Sequence, residues 1–516
     1  MHKQNRQSFR LKTWSRAVTF AAAGTLVLSG CAGPSPEGAR DGENRTLRIA
    51  VNAAPRSLDP AQLDGGVQSY IWGSVYDTLL YYDNAGKLQP NAAESWEVSD
   101  DALTVTFNLR QGMTFSNGNA VTAEAVAATL ERNKETPGQQ QSKMAAVKSV
   151  DIADEYRVAV HLSSPDPSFI YNMALDAGVI ADPATVNEPR SATAPVGSGP
   201  YELDMSASVS GSSYVLQKRK EYWNADAYPF QSLTVRILPD QTAALNALRS
   251  GEIDVSTVPA NQLSTFSAND FNIVHTPSSS VGYLDLADRD GKVLSPLGDI
   301  RVRKAINYAL NRKEIVNKLL SGGAQPSNQQ FNLKGEAYDS QLEDVYPYDP
   351  DQARKLLSEA GYAGGFDVSM PSTPLSTTFE PTISQALSDV GIRVTWVPVP
   401  PQNATRAVAA GEYPMYFFVV GTDVMPREVQ RQLHSASQNP FNWSSPELQR
   451  LESEANKELD PQERANKYKE LNRYVVENAL FAPLFFLGKD LVTSKNVKYL
   501  GDGTNNFSSI RAFDVS

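Results

Sequence analysis

The chain has 516 residues, a formal charge of −11 at pH 7, four histidines and a single cysteine. That acidic balance argues against a nucleic-acid partner, and one cysteine allows neither a disulfide nor a thiolate-ligated metal site within the chain. The length suggests about three domains or lobes, enough to build large cores without covalent staples.

Lys3, Arg6, Arg10, Lys12 and Arg16 precede an apolar run from Ala17 to Leu28. Basic residues followed by an apolar stretch too short to span a bilayer are the pattern of a secretory signal. The run closes at Leu28-Ser29-Gly30-Cys31, so the lone cysteine falls where the signal ends. Residues 32–45 are rich in Pro, Gly and charge without periodicity and read as a flexible tether.

Leu47 to Val51 reads as the first strand, followed by a loop with Leu58-Asp59-Pro60. Between Leu88 and Val126 several signals follow one another. Leu103 to Leu109 alternates apolar and polar residues as a half-buried strand does, Asn117-Gly118 marks a tight turn, and Thr122 stands as an N-cap before Glu124. His161 belongs to an alternating strand, with no second histidine at ligand spacing. Pro195 to Tyr201 (PVGSGPY) is a structured crossing loop without the Gly-x-Ser-x-Gly spacing of a nucleophile elbow. A strand over Leu233–Ile237, a helix over Gln241–Arg249 ended by Gly251, and a further strand predict a parallel α/β lobe. Asp299 to Leu320 carries one apolar stripe and predicts a single helix. Asp349-Pro350 and Asp460-Pro461 are helix starts. The apolar run Met415–Val420 predicts a buried strand that opens at Gly421-Thr422-Asp423, and binding residues in α/β lobes commonly sit at such strand ends. There is no phosphate-binding Gly-x₄-Gly-Lys-Ser/Thr, no His-Glu-x-x-His, and the histidines at 2, 161, 275 and 434 are scattered, so neither catalysis nor a bound metal or cofactor is expected.

Pro90, Ala93-Glu94-Ser95-Trp96, Leu109-Arg110, Asn117-Gly118 and Thr122-Ala123-Glu124 together resemble the signature of the extracytoplasmic solute-binding proteins of family 5. That family includes peptide- and nickel-binding subunits of ABC importers. The loop Pro195–Tyr201, Arg219-Lys220-Glu221-Tyr222-Trp223 and Arg301 to Arg312 also match its pattern. The resemblance implies an α/β, two-lobed fold of the periplasmic-binding-protein type (class II, large peptide binders), with a cleft between the lobes and an extra subdomain on the first. On that pattern residues 1–30 form a lipoprotein signal peptide and 31–45 a tether. Lobe I covers 46–283 with a subdomain at about 76–197, lobe II covers 284–488, and 489–516 return to lobe I. Hinge strands are expected near 280–290 and 480–490.

The resemblance also implies that Cys31 carries a diacylglycerol after cleavage, holding a monomer to the extracytoplasmic face of the membrane. Asp423 matches the aspartate that holds a peptide's α-amino group, with Thr422 beside it and Val420 where tryptophan is usual. Asp64 matches an acidic position facing the ligand. Tyr283 and Asp285 fall on a crossing strand, and Trp443, after Asn439, matches an aromatic position near the ligand. The expected function is capture of short peptides for an ABC permease. A nickel or other metal chelate, an opine or an oligosaccharide are alternative solutes. An envelope hydrolase or a non-transport envelope lipoprotein are the alternative classes.

Overall fold

The computed structural model describes residues 45–516 except Leu459 and Asn506. The signal segment, the tether and Cys31 lie outside the described residues, Arg45 at the end of the tether excepted.

Thr46–Val51 forms the first strand because Leu47, Ile49 and Val51 alternate inward. It pairs in parallel with Ser232–Ile237 on one side, Leu47 opposite Leu233, and meets Val255 at Ile49 on the other. The helix Gln241–Arg249 connects those two neighbours. Asp240 caps it by accepting from the Ala243 N–H at 2.7 Å, and Gly251, at φ +71°, ends it. Ser213–Lys218 and Tyr201–Leu203 add an antiparallel edge.

Two long strands, Phe271–Asp285 and Phe481–Ser494, continue the sheet. They pair antiparallel from Phe271 opposite Ser494 to Asp285 opposite Phe481, with register shifts between Thr276 and Ser280 and between Gly282 and Tyr283. Their two ends serve different cores. Leu491 packs with Leu47, Ile49 and Tyr70, whereas Leu284, Leu484 and Phe485 pack with Val302, Ile306 and Ile383. Tyr416–Gly421 lies beyond them at the sheet's edge, buried at its start as the apolar run predicts. From the tail, Val497, Ile510 and Phe513 insert into the core of the first strand.

A third core belongs to a four-stranded antiparallel sheet, Ala93–Val98, Thr104–Leu109, Arg157–Leu162 and Val147–Asp154, covered by the helix Ala123–Glu135. Thr122 occupies that helix's N-cap position with extended backbone, but its side chain makes no capping bond. His161 sits half-buried on this sheet, 3.1 Å from Thr104 and from Asp151.

The recurring motifs act as staples. Asp59 is gripped by both terminal nitrogens of Arg132 (2.6 and 2.7 Å) and by Ser191 (2.9 Å). Arg219 donates to the carbonyls of Ser198, Gly199, Thr114 and Phe115, clamping the crossing loop to the subdomain. Tyr222 donates to the buried Asp77 at 2.7 Å. Gly199 is required where it stands, because a Cβ there would lie 2.7 Å from the Val75 carbonyl oxygen.

One predicted element is divided. The stripe from Asp299 to Leu320 forms two helices, Ile300–Ala309 and Arg312–Leu319, since Leu310 is extended and Asn311 caps the second helix through the Glu314 N–H. The break lets Arg312 turn inward and donate to the carbonyls of Pro483 (2.7 Å), Asn307 (3.0 Å) and Ser327 (3.1 Å).

Candidate functional site

The edge strand Tyr416–Gly421 runs into Thr422-Asp423, and the chain then enters a short helical turn, Arg427–Val429. From Gln430 to His434 the winding widens to a π-helix, a feature that recurs at functional sites. This stretch gathers charge at one point. Asp423 accepts from the Val424 N–H (2.8 Å), Arg427 Nη1 (3.2 Å) and Arg431 Nη1 (3.3 Å). Asp423, expected to hold a ligand ammonium, thus has two guanidinium groups from the following helical turns within hydrogen-bond reach.

Arg427 ties the cluster to the subdomain. Burial works against its charge, but Asp423, Tyr82 and Asp176 together hold its pKa above the ordinary arginine value. Tyr82 lies on the strand Leu80–Tyr82, and Val424 packs against the same subdomain core. Glu428 is fully buried and accepts from the Asn332 N–H (3.0 Å) and Gln432 Nε2 (3.1 Å). Burial pushes its carboxyl up to about 8, with Arg431 pulling the other way. Arg427 and Arg431 thus share the Asp423 carboxylate, with the Glu428 carboxyl buried beside them.

Beneath this turn several buried polar atoms make no hydrogen bond: Tyr283 Oη, both ends of the Gln330 amide, Arg431 Nε and Gln432 Oε1. Gln432 Nε2 reaches the Gln330 carbonyl at 3.3 Å, and the Tyr283 phenol lies near enough to Arg431 and Gln330 to feel both, while burial raises its pKa. Buried polar atoms are normally partnered, so such a group is exceptional.

The other residues singled out from the sequence fare differently. Asp285 is fully buried and faces Arg289 at 3.0 Å and the Tyr416 hydroxyl at 3.3 Å. Burial raises its pKa to about 7 against the pull of Arg289. It is an interior ion pair rather than a cleft-lining acid. Tyr283 likewise has no accessible surface and stands edge-on to Phe481 within a core, so it lines no open crevice. Thr422 is buried and donates to the Ser278 carbonyl at 2.8 Å. Asn439 pins its own loop, bonding the Leu433 and Trp443 carbonyls and the Trp443 N–H, which accounts for it without a ligand. Trp443 is half-buried against the same core as Tyr283. Asp64 is held by Arg56, whose hydrogen bonds keep its carboxyl below the ordinary range. Sequence reasoning missed Arg427 and Arg431, which come round to Asp423 only because the chain turns at Met425-Pro426 and then winds into the helical segment that carries both. Gln330 carries no comparable signal.

Two hollows sit at strand ends. One, of about 190 Å³, is lined by Gln241, Val258, His275, Gly323, Lys489 and Asp490, where a parallel strand of the first core meets the long pair. Burial lowers the pKa of Lys489 there. The larger groove, about 450 Å³, lies between Ser372–Pro374 and Pro398–Pro401 and carries no charged side chain. It offers little to orient a polar solute, so the Asp423 cluster is the stronger candidate despite the groove's size.

Residues 87–442 match the family model described as "Bacterial extracellular solute-binding proteins, family 5 Middle". The glutathione-binding protein GsiB of Pectobacterium atrosepticum is 28% identical over 474 residues, spanning 88% of this chain and 90% of that protein. Among solved structures, the periplasmic binding protein DppA of Helicobacter pylori, in complex with the peptide STSA, superposes with a TM-score of 0.73 at 24% identity, covering 91% of this chain and 97% of its own. NikA of Brucella suis, in complex with Fe(III)-EDTA, gives 0.73 at 21% identity, covering 92% and 100%. These likenesses establish the two-lobed α/β fold. The chain belongs to the bacterial extracellular solute-binding proteins of family 5, the extracytoplasmic binding subunits of ABC importers.

Proposed function

We propose that this protein is a membrane-anchored receptor that captures short peptides by closing two lobes and delivers them to an ABC permease. The carrying observation is the pair of strands Phe271–Asp285 and Phe481–Ser494, each passing from one core into another. Two strands crossing at one place form a hinge, because small backbone changes in a few residues swing whole cores together. The lobe division at about 283 and 488, with the tail returning to the first lobe, agrees with the cores that these strands and the tail residues join.

Peptides are the favoured solute because the similar GsiB is named for binding glutathione, itself a tripeptide, and the similar DppA holds a peptide. Anchoring through a lipid on Cys31 follows from Leu28-Ser29-Gly30-Cys31 at the end of the signal. With about 0.8 kcal/mol per buried CH₂, a lipid of two or three chains would hold the receptor stably.

Mass spectrometry of the solute released from protein purified out of its native envelope tests the assignment. A population of short peptides is the expected result, and a single metal chelate, opine or oligosaccharide would overturn it.

A further inference from the structure

We propose that the hollow beside the long strand Phe481–Ser494 is a carboxylate site, in which the Lys489 ammonium takes the anion. The inference rests on the receptor reading above in so far as the carboxylate is the solute's own, and it names the residue that would select for one.

The hollow exists because the strand changes neighbours. On one edge it pairs with Ala324–Pro326 as far as Leu487 and with Val255–Val258 from Asp490 onward, so Gly488 and Lys489 have no partner strand there. The gap falls between two cores: Val258 packs with Leu245 and Leu248, whereas Ala324 packs against the core of Val302 and Ile306. About 190 Å³ opens at this point, walled by Val258–Ala260 on one side and Gly323 on the other. The walls nearly meet, since a Cβ on Gly323 would stand 3.2 Å from the Ala260 Cβ. A group seated in the hollow therefore touches both cores. Along the strand Lys489 stands midway between Leu487, packed against the core of Val302, and Leu491, inside the core of Leu47.

Of the side chains that line the hollow, only those of Lys489, Asp490 and His275 can carry charge. Asp490 is already engaged: it is buried, and His275 Nδ1 lies 2.8 Å from its carboxylate. The imidazole crosses over Gly488, where a Cβ would lie 2.7 Å from the ring's Cε1, so the glycine leaves the ring room to reach Asp490. The His275 side chain keeps 60% of its surface, which puts the mouth of the hollow on its side.

Lys489 is the group left over. Its backbone carbonyl accepts from the Thr276 hydroxyl at 3.0 Å, but its half-buried ammonium has no hydrogen-bond or ion-pair partner among the described residues. Lys143 and Lys218, also half-buried, are provided for, the first by Asp176 at 2.6 Å and the second by the Ala225 carbonyl at 2.9 Å. A charge withdrawn from water without a partner is costly, and burial lowers the pKa of Lys489 with no acidic side chain pulling the other way. An ammonium offers three donors and no acceptor, so the ligand that completes it is an anion, and a carboxylate gives a charge-assisted bond about twice as strong as a neutral one.

Calorimetry on the full chain, freed of co-purified solute, tests the site with trialanine, trialanine amide and succinate as probes. Wild type should bind the acid about 30-fold or more tightly than the amide. Lys489→Met keeps the aliphatic stem and removes the charge, so it should bind acid and amide alike, and Lys489→Arg should restore the preference. Because the ammonium has no protein partner to lose, Lys489→Met should melt no lower than wild type, and a variant melting well below it would overturn the site. Succinate binding that needs Lys489, with trialanine and its amide bound alike, would uphold the site with a free carboxylate as its anion. Trialanine bound equally by wild type and Lys489→Met, with succinate binding equally insensitive to the change, would overturn the site and leave peptide capture standing. Lys489-dependent binding of succinate without binding of trialanine would uphold the site and overturn the peptide solute. A protein that binds none of the three overturns both.

Discussion

Asp77 is a buried acid whose hydrogen-bond donors include Tyr222 at 2.7 Å and Trp223 Nε1 at 3.4 Å. Removing the hydroxyl in Tyr222→Phe leaves that carboxylate short of a partner. The expected loss is about 1–3 kcal/mol, read by urea denaturation. Unchanged stability would show that Asp77 finds another donor. Glu428 makes a pH prediction. Folded, it keeps its proton up to about pH 8, and in the unfolded chain it releases it near the ordinary value of 4.5. The folded form therefore binds more protons in that window, so stability is full below about pH 4.5 and is lost as pH rises toward 8. The slope contributed is at most about 1.4 kcal/mol per pH unit. Glu428→Gln should flatten thermal stability between those values, and a variant with the wild-type pH profile would contradict the buried proton. At this scale the sequence was only partly legible. Asp423 could be placed at a strand end, but that its charge is already shared depends on Arg427 and Arg431 coming round the following turns.

Elements were easier to read where one face decides them. Met415–Val420 is an unbroken apolar run, and the strand Tyr416–Gly421 follows directly. The strand Phe271–Asp285 was obscured by Pro277 and the serines 278–280, which break alternation just where its register shifts against Phe481–Ser494. The divided stripe shows the opposite failure. Periodicity from Val302 to Leu320 continues across Asn311 because both helices bury into one core, so hydrophobic spacing alone could not reveal the turn between them. Asp299 caps the first of these helices through the Arg301 N–H at 2.8 Å. Asp299→Ala should cost about 0.5–2 kcal/mol of stability. Gly199→Ala should be harsher, since its Cβ would meet rigid backbone at 2.6–2.7 Å on the Ser74–Val75 segment. Overpacking of this kind costs about 1–3 kcal/mol or more, and a melting temperature equal to wild type would refute the close approach.

On the scale of the whole molecule, the first two cores share two crossing strands, and the Asp423 cluster meets the core of the four-stranded sheet through Arg427, Tyr82 and Val424. The membrane end is separate: Cys31→Ser should move the protein from the membrane to the soluble fraction, and a variant still retained on membranes would contradict lipid attachment. Because Cys31 is the only native cysteine, the same variant permits paired labels at introduced cysteines, Asp100→Cys on the subdomain and Glu359→Cys on the second lobe, both at exposed positions. The most direct measurement is energy transfer between those labels as trialanine is titrated into solute-free protein. The separation should shorten and saturate together with the calorimetric binding curve, whereas peptide binding with an unchanged separation would contradict capture by closure.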